Sequence, residues 1–170
     1  MNKDELRKLQ TPLKQKYKEN PGSATITLKA KSVLDENLTC KVETGKAMVE
    51  AGLHPATGGD GLSACSGDML LEALAACAGV TLNAVATAID VDLRHAEVHA
   101  EGDLDFRGTL GVSKEAPVGF KNIRLFYDLE TDASDEQIDT LLKLTERYCV
   151  VYQTLRTPLS IEVNRTIKPA

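Results

Sequence analysis

The sequence has no excess of basic residues, no long apolar run and no apolar leader. Lys and Arg total 20 against 25 Asp and Glu, which gives a net charge of −5. A chain of this sign lacks the basic surface that binds a nucleic-acid backbone. No uninterrupted apolar stretch approaches the roughly 18–20 residues that span a bilayer. The charged residues 1–8 lack the apolar centre of a signal peptide. We therefore expect a cytoplasmic protein that binds neither nucleic acid nor membrane.

The four cysteines form none of the spacings typical of metal sites. Cys40, Cys65, Cys77 and Cys149 contain no Cys-x-x-Cys pair, and no histidine lies near them in a zinc-knuckle spacing. This pattern argues against structural zinc, and no metal or other cofactor is expected. Cytosolic thiols are kept reduced, so these side chains are expected to be buried apolar groups or redox groups rather than structural disulfides.

The chain is long enough for one domain with its own core, since 42% of its 170 residues are apolar. A helix is predicted over residues 3–19 from apolar side chains that recur every three to four positions. These side chains are Leu6, Leu9, Leu13 and Tyr17. Asn20-Pro21-Gly22 ends the helix. We expect residues 1–22 to form an N-terminal helical extension and residues 23–170 to form a single domain.

Alternating apolar and polar residues predict half-buried strands in the rest of the chain. The alternating segments are 24–30, 38–44, 96–106, 123–129 and 159–163. Because the strands come mostly as neighbouring pairs, they predict antiparallel hairpins and an α+β fold. Cys40 falls on the inward face of its strand and is expected to fill core space. His95 and His99 fall among carboxylates on a solvated face, so they are expected to be surface residues rather than ligands.

Residues 66–89 are apolar, small or neutral on every helical face. Their only ionisable side chains besides Cys77 are Asp68 and Glu72, near the start. Acidic residues at that end complement the helix dipole and need no catalytic role. A helix that is apolar all round is a buried helix, so this segment is expected to be the central helix of the domain.

Cysteines on two core-facing helices can support redox chemistry. A capping box at Ser134-Asp135-Glu136-Gln137 opens a later helix, which carries Cys149 on its inward face and ends near Pro158. A thiolate attacks the O–O bond of a peroxide and becomes a sulfenic acid. A second thiol condenses with it to a disulfide, which an external dithiol reopens. Cys77 and Cys149 suit these roles if they meet in space, but their spacing alone also allows two unrelated buried cysteines.

Three segments resemble the OsmC/Ohr superfamily, which comprises the osmotically inducible protein C and organic hydroperoxide resistance proteins. They are Leu71-Glu72-Ala73-Leu74-Ala75-Ala76-Cys77, Gly102-Asp103-Leu104-Asp105-Phe106-Arg107-Gly108 and Glu146-Arg147-Tyr148-Cys149-Val150-Val151. The resemblance extends over roughly residues 25–166. It implies an OsmC-like fold, with antiparallel sheets around a long buried central helix, and an intertwined homodimer with its active site at the subunit interface. It also implies a peroxidase acting on organic hydroperoxides, in which Cys77 attacks, Cys149 resolves and an external dithiol such as a dihydrolipoyl group is the reductant.

The chain departs from the family pattern around Cys77. The family activates this cysteine with an arginine from an N-terminal loop and a glutamate at the start of the buried helix. No arginine occurs between Arg7 and Arg94, and the glutamate position falls on Gly67, beside Asp68. Cys77 lies roughly 16 Å along its helix, too far for the helix dipole to lower its pKa. A buried thiol without a cation is inert, so a cation is expected to approach it. Four candidates lie near in sequence: Lys41, Lys46, Arg147 and Arg156.

The function expected from these residues is peroxide reduction in oxidative-stress defence. Cys77 and Cys149 are the expected catalytic residues, and Cys65, in the loop before the central helix, is expected to take no part. Two other classes stay open. One is an OsmC-fold protein that binds small molecules or lipids without peroxidase activity. The other is a dimeric interaction protein whose cysteines only fill space.

Overall fold

The computed structural model describes residues 2–25, 27, 31–34, 40–43 and 48–167. Two short 3₁₀ turns, Pro21–Ala24 and Pro55–Thr57, connect elements in the first half. In chain order, the helices and strands of the described residues are α1 (Lys3–Glu19), β1 (Lys31–Leu34), β2 (Cys40–Glu43), β3 (Met48–Gly52), β4 (Ala64–Cys65), α2 (Ser66–Ile89), β5 (His95–Asp103), α3 (Phe106–Thr109), β6 (Asn122–Glu130), α4 (Asp135–Tyr148) and α5 (Val150–Arg156).

The first sheet has the strand order β1-β2-β3-β4. β1 and β2 form an antiparallel hairpin in which Leu34 lies opposite Cys40. β3 pairs antiparallel with β2 and parallel with β4. The predicted hairpin is present, but its first strand begins later than the expected residue 24, because the turn that ends α1 continues through Ala24. Residues 26 and 28–30 and the predicted inward side chain of Cys40 lie outside the described part.

The second sheet is an antiparallel hairpin of β5 and β6. Its register runs from His95 opposite Glu130 to Asp103 opposite Asn122. Alternate residues of β6 are half-buried, as the two-residue period of a strand requires. The predicted strand over 96–106 is too long, because the Asp105 side chain accepts the Arg107 N–H and starts the short helix α3. The predicted α+β class is confirmed, and each described strand pair except β3–β4 is antiparallel.

The core lies between the second sheet and the helices α2 and α4. α2 packs against β5, α4, α5 and α1. α4 begins at the predicted capping box, where Ser134 Oγ accepts the Gln137 N–H at 3.3 Å and Gln137 Oε1 accepts the Ser134 N–H at 3.0 Å. The buried cluster consists of Leu82, Val85, Ala86, Val91 and Leu141. This packing fixes α2, and with it the position of Cys77.

The prediction that α2 is buried on every side is wrong for the single chain. Ala73, Ala76, Val80 and Asn83 are exposed, and their spacing places them on one face, which we call the open stripe. Val80 is 74% exposed. The helix is also long and apolar enough to cross a membrane by length and composition, with a mean hydropathy of 1.7, although it contains no uninterrupted apolar run of that length. Its opposite face instead packs against the sheet and helices described above.

Residues 158–167 follow α5 without pairing as a strand with any described residue. The predicted closing strand over 159–163 is therefore wrong for this chain by itself. The three apolar residues whose alternation predicted this strand, Leu159, Ile161 and Val163, are all exposed. An extended segment becomes a strand only when a neighbouring edge accepts and donates its backbone hydrogen bonds.

Candidate functional site

Cys149 lies at the junction of two helices. Its N–H donates to the Thr145 carbonyl at 2.9 Å and so ends α4. Its backbone is extended, with φ −71° and ψ 111°, and its Sγ accepts the Tyr152 N–H at 3.5 Å, which caps the start of α5. The side chain is wholly buried, with an exposed fraction of 0%. The expected single helix running to Pro158 is thus wrong, because the chain breaks at Cys149.

The structure brings Cys77 and Cys149 together, as the sequence predicted. Cys77 is half-buried near the middle of α2. The Cys149 thiol lies close enough to the Cys77 sulfur to lower the pKa of Cys77, and both cysteines are unoxidised. α5 packs against α2, which turns the break between α4 and α5 toward Cys77. Their chemical roles stay predictions, but the contact that those roles require is present.

Backbone donors act on the Cys77 thiol. Burial alone would raise its pKa, but the donors of the Val151 backbone, the Cys149 thiol and the Val150 backbone together hold the pKa below its usual value. The first N–H groups of a helix have no partner within the helix, so those of α5 are available to the sulfur. Hydrogen bonds to an ionised group favour that form, which lowers the pKa.

The Cys149 thiol has the opposite tendency. Its burial raises the pKa, and the neighbouring Cys77 raises it further, which outweighs the donor effects of the Tyr152 and Val151 backbones. Cys77 therefore ionises before Cys149. The thiolate is the nucleophilic form of cysteine, so Cys77 is the more reactive of the two.

The expected activating cation is not seen at Cys77 within the described residues. Neither Arg147 nor Arg156 is among the groups that shift the Cys77 pKa most. The Arg147 guanidinium instead lies 5.5 Å from the centre of the Tyr148 ring, and Arg156 acts on the Tyr152 hydroxyl. The side chains of Lys41 and Lys46 lie outside the described part. The sequence analysis considered only charged side chains as activators of Cys77. The backbone N–H donors of Val150 and Val151 could not be found in this way, because they do not depend on the type of side chain.

The other sequence candidates lie away from the two thiols. Cys65 stands at the start of α2, about 18 Å along the helix from Cys77 at 1.5 Å per residue. That separation fits the expectation that Cys65 takes no part. Asp68 and Glu72 are exposed in the first turns of α2. His99 is exposed, stacks on Phe126 at 4.7 Å and lies 3.6 Å from Asp128, as a surface residue would.

An apolar groove of about 530 Å³ lies between α1, α2 and α4. It begins at Thr81, whose hydroxyl donates to the Cys77 carbonyl at 2.7 Å. Lys14 and Gln10 of α1 stand at its polar side. The remaining lining is mostly apolar: Val80, Ala84, Val85, Ala88, Ile89, Leu144 and Tyr148. Among the described residues, no group of three or more His, Cys, Asp or Glu side chains is placed to hold a metal.

The fold and the paired cysteines define the class of protein: an α+β domain with a two-thiol site where a central helix meets a helix break. The family model described as OsmC-like protein matches residues 58–164. The chain belongs to this family, within the OsmC/Ohr superfamily, as the resemblance predicted. A search of curated proteins returned no match.

Solved structures share the fold at low sequence identity. An OsmC-like protein from Mycoplasma pneumoniae aligns over 77% of this chain and 88% of its own, with a TM-score of 0.66 and 18% identity. An organic hydroperoxide resistance protein OsmC from Legionella pneumophila aligns over 77% and 90%, with a TM-score of 0.61 and 19% identity. The organic hydroperoxide resistance protein OhrB of Bacillus subtilis aligns over 77% and 91%, with a TM-score of 0.55 and 18% identity. These likenesses confirm the OsmC-like fold.

Proposed function

We propose that the chain is a two-cysteine peroxidase that reduces organic hydroperoxides in oxidative-stress defence. The Cys77 thiolate attacks the O–O bond of the hydroperoxide and becomes a sulfenic acid, while the alkoxide takes a proton and leaves as the alcohol. The Cys149 sulfur then attacks the Cys77 sulfur, expels water and closes a Cys77–Cys149 disulfide. An external dithiol supplies two electrons and two protons, reopens the disulfide and is itself oxidised.

The observation that carries this proposal is the close approach of Cys77 and Cys149, since each thiol acts on the pKa of the other. The two-step reaction needs one thiol that ionises readily and a second within reach of its sulfur. The lowered pKa of Cys77 and the raised pKa of Cys149 fit that division of roles. Two structural relatives carry the description of organic hydroperoxide resistance proteins, which supports the same chemistry.

The groove beside Thr81 supports an organic rather than an inorganic peroxide as substrate. Its volume, about 530 Å³, lies within the range typical of small-molecule sites. A hydrocarbon group bound there leaves water and so gains free energy in proportion to its apolar area. Hydrogen peroxide has no such group and gains nothing from the groove.

We further propose that two copies of the chain form an intertwined homodimer that places this site at their interface. The open stripe of α2 flanks Cys77 and is apolar except for Asn83, although a solvent-facing helix surface is normally polar. The alternating residues Leu159, Ile161 and Val163 are exposed as well. A second copy that covers both would remove them from water. We also propose that residues 1–22 form an N-terminal extension and residues 23–170 a single domain. The proposed location is the cytoplasm.

Val80→Glu tests the dimer, because it places a charge in the middle of the open stripe. Burying an unpaired carboxylate at an interface is strongly unfavourable, so we expect this variant to sediment as a monomer where the wild type sediments as a dimer. Val112→Glu is the matched control, since Val112 is 72% exposed and lies outside α2. A monomeric wild type, or a Val80→Glu dimer as stable as the control, would contradict the interface.

Thiol titration tests the peroxidase directly. We expect one equivalent of cumene hydroperoxide to remove two of the four thiols of the reduced protein within seconds to minutes. Peptide mapping should then locate a Cys77–Cys149 disulfide. Cys65→Ser is the control variant, and it should lose two of its three remaining thiols at an unchanged rate. If no thiol reacts, the apolar groove favours the other function that the sequence left open, a small-molecule or lipid-binding protein without peroxidase activity.

A further inference from the structure

The hydroxyl of Tyr127 is a buried polar group that neither the core packing nor the two-thiol site has so far explained. Tyr127 lies on β6, and its ring packs against the buried cluster. Its Oη is shielded from solvent and has no hydrogen-bond partner among the described residues. A buried donor without a partner is costly, so a native structure that keeps one calls for a functional reason.

The groups that act on this hydroxyl lie around the junction of α4 and α5. Tyr127, Glu146 and Tyr152 line one cavity there, and Cys149 lies midway between the other two along the chain. Burial, and after it the charges of Cys149, Glu146 and Tyr152, raise the pKa of Tyr127 to about 12, so the hydroxyl keeps its proton. The lining also includes two cations, which are donors and cannot accept from the hydroxyl: Lys121 and Arg156.

Of the possible acceptors, Cys149 is the one whose demand for a donor changes during the proposed reaction. Glu146 already accepts the Tyr152 hydroxyl through Oε2 at 3.0 Å. The Cys149 sulfur is wholly buried and accepts the Tyr152 N–H at 3.5 Å. A neutral thiol is a weak acceptor, which accounts for the unpartnered Tyr127 hydroxyl while Cys149 is protonated.

The resolving step turns this sulfur into a strong acceptor. The Cys149 sulfur attacks the sulfenic sulfur of Cys77, the S–S bond forms as the S–O bond breaks, and the Cys149 proton leaves with the hydroxide as water. Negative charge builds on the Cys149 sulfur as its proton departs, and a buried charge is unfavourable without a donor. A hydrogen bond that is stronger in the transition state than in the reduced protein accelerates the step.

We propose that Tyr127 donates a hydrogen bond to the Cys149 sulfur as this sulfur loses its proton, and that it thereby speeds the closure of the disulfide. This inference rests on the proposed peroxidase function. Tyr127 keeps its own proton throughout, so the balance of the resolving step is unchanged. The hydroxyl costs stability in the reduced protein and gains its partner only during the reaction.

Tyr127→Phe should slow the closure of the disulfide about tenfold or more and leave the attack of Cys77 unchanged, because it removes a hydrogen bond to a charged group. Reduced protein is mixed with one equivalent of cumene hydroperoxide and quenched at intervals. Dimedone then reports the Cys77 sulfenic acid, and peptide mapping reports the Cys77–Cys149 disulfide. The sulfenic acid should accumulate in the variant and not in the wild type. Tyr17→Phe removes a hydroxyl on α1 and is the matched control, expected to behave as the wild type.

Thermal unfolding separates the hydroxyl from the packing of the ring. Reduced Tyr127→Phe should unfold at the same temperature as the wild type or at a higher one, because the substitution removes a buried group that has no partner. A clearly lower unfolding temperature would show that the hydroxyl is satisfied in the reduced protein, and it would overturn the inference.

A titration of Cys149 separates the role of Tyr127 from the peroxidase reaction. In a Cys77→Ser protein, the carbon-13 signal of the Cys149 Cβ reports the pKa of this thiol without any peroxide. Adding Tyr127→Phe should raise that pKa and lower the thiolate fraction at neutral pH about tenfold, because a donor to the charged form is lost. An unchanged Cys149 pKa, or closure at the wild-type rate in Tyr127→Phe, would overturn this inference alone. A wild type that forms no Cys77 sulfenic acid would overturn the peroxidase proposal together with it.

Discussion

Cys77→Ser is expected to abolish the loss of thiols caused by organic hydroperoxides. The remaining candidate, Cys149, is wholly buried, and its pKa is raised by burial and by its neighbour. A thiol that stays protonated and out of contact with solvent does not attack a peroxide. The reaction rate should therefore fall to that of the uncatalysed mixture, rather than to an intermediate value. Stopped-flow mixing with cumene hydroperoxide, followed by thiol counting, measures this loss.

Cys149→Ser separates the attacking step from the resolving step. The hydroxyl of the introduced serine can still donate a hydrogen bond to the Cys77 sulfur. The attack on the peroxide should therefore proceed within a few-fold of the wild-type rate. Without a resolving thiol, the reaction should stop after one thiol is consumed, and a dimedone adduct on Cys77 would identify the trapped sulfenic acid. Equal reactivity of Cys77→Ser and wild-type protein, or an adduct on Cys149 instead, would refute the assigned roles.

Val150→Pro is expected to slow the attack of Cys77 at neutral pH about tenfold or more. Proline has no N–H and so removes one of the backbone donors that lower the pKa of Cys77. A hydrogen bond to a charged group contributes roughly 1.5–3 kcal/mol, and each 1.4 kcal/mol is about a factor of ten in the ionisation equilibrium. The pKa of Cys77 rises, so less thiolate is present at pH 7.

The backbone at this position accepts proline. Val150 is the first residue of α5, where proline is favoured because that N–H has no helical partner. The residue before a proline must be extended, and Cys149 already is, with φ −71° and ψ 111°. Val150→Ala keeps the N–H while it shortens an exposed side chain, so it is the matched control and should react at the wild-type rate.

A pH–rate profile distinguishes the loss of this donor from a general disturbance. The wild-type rate should rise with pH through a Cys77 pKa that is lower than that of a free cysteine. The Val150→Pro profile should shift to higher pH and meet the wild-type curve once both proteins are fully ionised, since a less acidic thiolate is also the stronger nucleophile. A rate that is reduced equally at every pH would mean that the substitution acts on packing rather than on ionisation.

The elements of regular period could be predicted because a local pattern is enough to define them. The helix over 3–19 and the central helix over 66–89 agree with α1 and α2, since each follows from residues within a few turns. The capping box at Ser134 is likewise local. The predicted strands of the second sheet were located from alternation, and only the end set by Asp105 was misplaced, because a single side-chain hydrogen bond decides it.

The two candidate thiols could be selected from the sequence, but the electrostatics around them could not be predicted. Two cysteines on core-facing segments, in the order of the family pattern, were enough to select Cys77 and Cys149. The source of the low pKa could not be predicted, because any non-proline residue supplies the same N–H as Val150 or Val151. Whether that N–H points at a sulfur depends on where the chain breaks, and the break at Cys149 is not marked by a proline or glycine.

The sequence by itself determined the helical and strand periods, the family and the pair of thiols, because these are properties of residue type and spacing. Only the tertiary structure decided how the thiols differ. It placed the start of α5 against the middle of α2, so that backbone donors, which have no signature in side-chain chemistry, lower the pKa of one cysteine while burial raises the pKa of the other. It also left one face of α2 uncovered, because a single chain has too few elements to surround a helix that is apolar on every side.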